Sequence, residues 1–186
     1  MLKKRIFWGS TFGFMLLLAL TNLAQAQTFM SKNGSVSFYS KAPLEDIEAH
    51  SKQMSGVIKA DTRAVAFSMP INSFKFQKSL MQQHFNEKFL ESHKYPKATF
   101  TGNLVENIDV SKPGTHNVSV QGKLTIHGVT KDRTIKGTVV SDGSKLQLTS
   151  DFKVKVADHK IKIPKLVFEN IAEVVDVHLD MTLNKQ

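Results

Sequence analysis

Apolar and polar residues alternate with a period of two over most of the chain. The clearest run is near the C-terminus, where Val175, Val177, Leu179, Met181 and Leu183 are separated by Asp176, His178, Asp180 and Thr182. Val118, Val120, Leu124 and Ile126 alternate in the same way with Ser119, Gln121, Lys123 and Thr125, and His127-Gly128 ends that run at a turn. Successive side chains of an extended strand point to opposite faces, so each run predicts a strand with one dry and one wet face. Dry phases recur at Val65, Phe67, Met69 and Ile71, at Ala98, Phe100, Gly102 and Leu104, and at Leu146, Leu148, Phe152, Val154 and Val156. Asn33-Gly34, between Phe29–Lys32 and Ser35–Lys41, reads as a hairpin turn, and so does Asp142-Gly143 between Thr134–Ser141 and Lys145–Val156. Both dipeptides suit the positive φ that a tight hairpin needs.

The period changes once. From Lys78 to Ser92, Leu80, Met81, His84, Phe85, Lys88 and Phe89 recur at three- and four-residue spacing, the pattern of an amphipathic helix, and Tyr95-Pro96 closes the segment. The reading is therefore all-β: about eight antiparallel strands with one amphipathic helical insertion and no internal repeat. Such strands must pair as two sheets or close on themselves. The length of these strands favours a barrel, which removes exposed edges.

The first 26 residues stand apart from this pattern. Lys3, Lys4 and Arg5 precede an apolar stretch from Ile6 to Leu20, and Ala24-Gln25-Ala26 reads as a small-x-small cleavage site. Residues 1–26 are thus expected to be a secretory signal peptide, with residues 27–186 a single exported, periplasmic domain. Cleavage would remove three basic residues and no acidic ones, taking the formal charge from +9 to +6. The chain has no cysteine, so burial alone must hold the exported fold and thiolate chemistry is excluded. Export makes an anionic membrane surface or head group a better match for the basic balance than nucleic acid.

Candidate catalytic residues are few. The seven histidines form no His-Glu-x-x-His, and no nucleophile elbow, phosphate loop or dinucleotide fingerprint occurs. His127 and His178 fall on wet strand phases, His116 and His159 read as loop residues, and His84 lies three residues from Glu87 on the helix. Lys153, Lys155, Lys160, Lys162 and Lys165, alternating with apolar residues, read as a solvated face that discourages edge pairing. The sequons at Asn33 and Asn117 read as chance matches. No cofactor or metal is implied. The 13 phenylalanines lie mostly on dry phases or on the helix. Phase alone leaves open whether they fill one another's space or line a cavity, and a small barrel is often just wide enough to be filled.

Several segments then resemble the YceI-like family: Gly122-Lys-Leu-Thr-Ile-His-Gly-Val-Thr-Lys131, Lys94-Tyr-Pro-Lys-Ala-Thr-Phe-Thr-Gly102, Ile71-Asn-Ser-Phe74 and the stretch from Asp151 to Ile163. They occur in the family's order across nearly all of residues 27–186. The resemblance implies a lipocalin-like antiparallel barrel that binds polyisoprenoids or other long-chain lipids in an elongated apolar interior, with no established catalytic residues. The chain departs from the family pattern at Ser31–Phe38, which lacks the histidine of Asp-x-x-His-Ser, and at Phe74–Glu87, which replaces an Arg-Asp…Leu stretch.

On this reading Phe67, Met69, Ile71, Phe100, Leu124, Ile126, Phe152 and Val154 line a lipid pocket, joined by Phe85 and Phe89 from the helix. Contact with a membrane surface is compatible with the charge, and oligomeric state is not legible. The competing readings are an envelope protein with a solidly packed barrel, and a lipid-modifying enzyme using His84 or His127 as base.

Overall fold

The computed structural model describes residues 27–41, 46–163 and 172–186. Residues 1–26, where a signal peptide is expected, and Lys165 lie outside the described residues. Nine strands form one antiparallel sheet: β1 (Thr28–Ser40), β2 (Ile47–Lys59), β3 (Ala64–Pro70), β4 (Lys75–Phe76), β5 (Lys97–Leu104), β6 (Gly114–Ile126), β7 (Val129–Ser141), β8 (Lys145–Lys155) and β9 (Val174–Lys185). Eight of them run in the order β1-β9-β8-β7-β6-β5-β3-β2, and β1 pairs back to β2 to close a barrel. The two-residue β4 pairs with β2 at Ala49 and His50. The alternation that predicts strands therefore ends in the closed architecture it requires.

Local chemistry explains the turns. β6 and β7 meet at His127-Gly128, where φ is 51° and 70°, and Ile126 pairs directly with Val129. Both central residues are left-handed, as a two-residue hairpin demands. At the β7–β8 connection Asp142 Oδ1 accepts hydrogen bonds from the backbone N–H groups of Ser144 and Lys145, at 2.8 and 2.7 Å, and Gly143 takes φ of 89°.

Asn33-Gly34 is not a hairpin turn. It lies inside β1, where the pairing with β2 shifts register on both sides of Gly34. Neither residue has positive φ, and a Cβ on Gly34 would collide with the side chain of Met181. The glycine serves a bulge that lets β1 pass close over Met181.

The helical insertion is shorter than its periodicity suggests. A six-residue helix, α1 (Ser79–His84), runs into a π-helical turn at Phe85–Phe89. Leu80 is exposed, while its neighbour Met81, about 100° round the helix, faces inward with Phe85 and Phe89 of the π turn.

The barrel interior has two unlike halves. Where β1 begins and β2 and β7 end, Phe29, Leu146 and Leu183 are completely buried, and Met181, Val139 and Ile58 nearly so. Toward the opposite end, inward-facing residues such as Phe38, Phe67, Met69, Ile126, Phe152 and Val177 are only partly buried. Their phase points them inward, yet other side chains cover them only in part.

β5 and β6 lie close together where Gly102 pairs with Gly122. A Cβ on Gly122 would lie 2.8 Å from the Cα of Gly102 and closer still to the Thr101 carbonyl, with backbone on every side. Gly122→Ala is expected to lower stability by about 1–3 kcal/mol, the cost of overpacking an unyielding site. Urea denaturation of the variant beside the unmodified protein checks this.

Candidate functional site

The unfilled half of the barrel is a cavity of about 260 Å³. β3 supplies Phe67 and Met69, and Ile71 follows in a 3-10 turn at Ile71–Ser73. β5 contributes Phe100, β6 Leu124 and Ile126, and β8 Phe152 and Val154. Phe85 and Phe89 reach in from the π turn. All ten residues singled out from phase and resemblance thus lie on one wall.

Other wall residues escaped that reading. Val175, Val177 and Leu179 of β9 face the same space, and their alternation was the signal that could have found them. Phe38, Phe74 and Phe76 had a weaker signal, because β4 is too short to show a period. Together with Phe85 they form an aromatic cluster. Phe85 stacks on Phe38 at 5.6 Å between ring centroids, and meets Phe74 at 5.6 Å and Phe76 at 5.0 Å. One ring from the helical insertion is thereby inserted among three rings of the barrel and closes its end. Edge-to-face and offset contacts of this kind are the favoured aromatic geometries.

Two wall hydroxyls are engaged by the protein itself. Ser150 Oγ donates to the Lys136 carbonyl at 2.6 Å, and Ser40 Oγ accepts from the Ala172 N–H at 2.9 Å. Near the same end the Ser51 and Ser73 hydroxyls meet at 2.6 Å, and Ser73 donates to the Pro70 carbonyl. That relay ties β2 to the turn carrying Ile71 and Phe74. A cavity lined almost wholly by apolar side chains suits an apolar guest.

His127 lies outside the barrel, as its phase requires, but it is covered, with only 11% of its side chain exposed. Its Nε2 meets Glu91 Oε2 at 2.8 Å, its Nδ1 faces the His159 carbonyl at 3.2 Å, and its ring packs on the edge of Tyr95. Glu91, His127 and Lys160 all have positive φ, so three strained backbone positions meet at this node. His127 thus fastens the end of the helical insertion to the β6–β7 hairpin and to the 3-10 turn Val156–His159. His159 is not an open loop residue. It is buried and its Nδ1 donates to the Val129 carbonyl at 3.0 Å. His116 lies within β6, His178 pairs with Asp151, and His84 sits beside Lys88 rather than Glu87. Among the described residues no three His, Asp or Glu side chains gather closely enough to hold a metal ion.

This node carries a pH dependence. Burial holds the His159 imidazole below its ordinary range, so acid protonates the unfolded chain first. The hydrogen bond from His127 holds the Glu91 carboxyl below the usual carboxylate range. Both groups bind protons more readily when unfolded, so both stabilise the fold at higher pH. Stability is expected to hold at neutral pH, to begin falling as pH drops through about 6.5, and to fall further below the carboxylate range near about 4.3. Thermal melts across that window check this, and His159→Asn should flatten the upper part of the decline.

A closed eight-stranded antiparallel barrel with an apolar hollow at one end defines a lipocalin-like class. The YceI-like domain model matches residues 27–183, and the chain belongs to that family. Among solved structures it resembles a polyisoprenoid-binding domain from Saccharophagus degradans implicated in plant cell wall breakdown. The TM-score there is 0.75 at 16% identity, covering 87% of this chain and 100% of that one. It also resembles BcnA of Burkholderia cenocepacia, with a TM-score of 0.67 at 20% identity over 80% of this chain and 95% of that one. A YceI protein of Campylobacter jejuni gives 0.60 at 19% identity, over 77% and 87%. A comparison with curated proteins finds no match.

Proposed function

We propose that the chain is a binding protein rather than an enzyme, exported to the periplasm, that holds a polyisoprenoid or other long-chain lipid in the hollow half of its barrel. The observation that carries this reading is the set of inward-facing Phe, Met, Ile and Val side chains that border a hollow and are covered only in part by other side chains. A lipid tail would cover them. Each buried methylene contributes about 0.8 kcal/mol, so about ten of them contribute roughly 8 kcal/mol, the free energy of a micromolar complex. Shape and apolar lining suffice for affinity of that order, and the named relative that binds polyisoprenoid shares the fold.

Titration with a long-chain polyene fatty acid that fluoresces only in apolar surroundings tests the reading. Saturable uptake of one probe per chain, displaced by a polyprenyl alcohol, is expected. Failure to saturate, or fluorescence equal to that of the probe in buffer, would contradict it. Export is checked separately: the protein from a periplasmic fraction should begin at Gln27.

A further inference from the structure

The barrel wall is not uniformly laced. β7 pairs with β6 along its whole length, and β8 pairs with β9 along its whole length. β7 and β8 pair with each other only where Thr138–Ser141 meets Leu146–Thr149. Beyond Gly137 and Ser150 the two strands have no ladder between them, although both continue for several residues. The cavity wall reaches this slot, since Ile135, Gly137, Ser150 and Phe152 all face the hollow half.

Side chains span the slot where backbone does not. Ser150 Oγ donates to the Lys136 carbonyl, and Arg133 Nη2 donates to the Lys153 carbonyl, each at 2.6 Å. At the far end His159 bonds the Val129 carbonyl and hems the opening. From Lys131 to Lys136 the slot runs roughly 17 Å at ~3.3 Å per strand residue. Opening it breaks two side-chain hydrogen bonds and no backbone ladder between β7 and β8.

The border is basic. Asp132 and Asp151 are drawn to the neighbouring strands by Lys123 and His178, and Lys153 is paired with Asp176. Lys131, Lys136 and Lys155 are exposed and form no ion pair among the described residues. An apolar hollow behind a cationic border matches an amphiphile with a long tail and an acidic head.

Building on the lipid-binding reading above, we propose that the β7–β8 slot is a lateral portal through which such an amphiphile's tail enters and leaves the barrel, its acidic head staying at Lys131, Lys136 and Lys155. The native chain has no cysteine, so the slot can be stapled selectively. Thr134→Cys with Lys153→Cys, joined by a short reductant-cleavable cross-linker, closes it on the outer face. The control pair, Asn103→Cys with Gln121→Cys, staples strands that are already laddered.

Stopped-flow uptake and release of the polyene fatty acid should slow at least tenfold in the stapled slot and recover on reduction, with no change in the control. Arg133→Gln, which removes one latch, should speed exchange several-fold. Lys136→Glu with Lys155→Glu should weaken the fatty acid at least fivefold and leave the matching fatty alcohol unaffected. Unchanged rates in the stapled slot overturn the portal, and equal effects on acid and alcohol overturn the head site. If the unmodified protein takes up no probe at all, it is the lipid-binding reading that fails.

Discussion

Replacing Ile126 by tryptophan should abolish most lipid uptake while leaving the barrel as stable as before, or more so. Ile126 is partly buried and faces the hollow half at the end of β6. The larger ring displaces roughly two to three methylenes of a guest, about 2 kcal/mol or close to thirtyfold in Kd. A matching Val177→Trp from β9 should compound the loss, because both rings would occupy the same space. The sign of the stability change separates the competing readings. In a solid barrel the same substitution overpacks the core and costs about 1–3 kcal/mol. Probe titration and thermal melts on one preparation give both quantities.

The opposite half should respond in the opposite way. Phe29 has no exposed surface and sits among Met181, Leu183 and Leu146 in the packed end. Phe29→Ala is expected to cost about 3–5 kcal/mol, combining lost transfer energy with the cavity left behind. That corresponds to a fall in Tm of roughly 10 °C for a domain of this size. Phe152→Ala removes a ring of the same size whose inner side faces space, so its cost should stay below about 2 kcal/mol. Equal losses at the two positions would mean that the interior is evenly packed.

Much of this architecture was legible from residue order. The alternation of β6 and β9 assigned Leu124, Ile126, Val177 and Met181 to one side of the wall, and the structure keeps them there. Phase determines which way a side chain points, however, and not what it meets. Met181 meets a filled core and Val177 an empty space, though they lie four residues apart on one strand. That difference depends on residues from every other strand.

Local signals misled where two structures share one composition. Asn33-Gly34 fits a tight turn by its residue types, but a bulge over Met181 also needs a glycine, and the long-range packing decides. The helical pattern from Lys78 to Ser92 holds Phe85 and Phe89, which line the hollow, and Leu80, which is exposed because it stands at the edge of the apolar stripe. The β7–β8 slot had no signal at all. Both strands alternate normally, and only the pairing between them fails. His127 illustrates the reverse: its polar chemistry suggests a base, while its partners Glu91 and the His159 carbonyl make it a fastening between three segments.

The central claim is that the hollow half exists to hold a lipid tail. Its most direct test is solvent extraction and mass spectrometry of the protein purified, without detergent exchange, from the envelope of the cells that make it. About one prenyl or acyl amphiphile per chain is the expected result, and it should be lost from Ile126→Trp purified in the same way. Protein that leaves the envelope free of lipid, and that takes up no polyene fatty acid afterwards, would contradict the account.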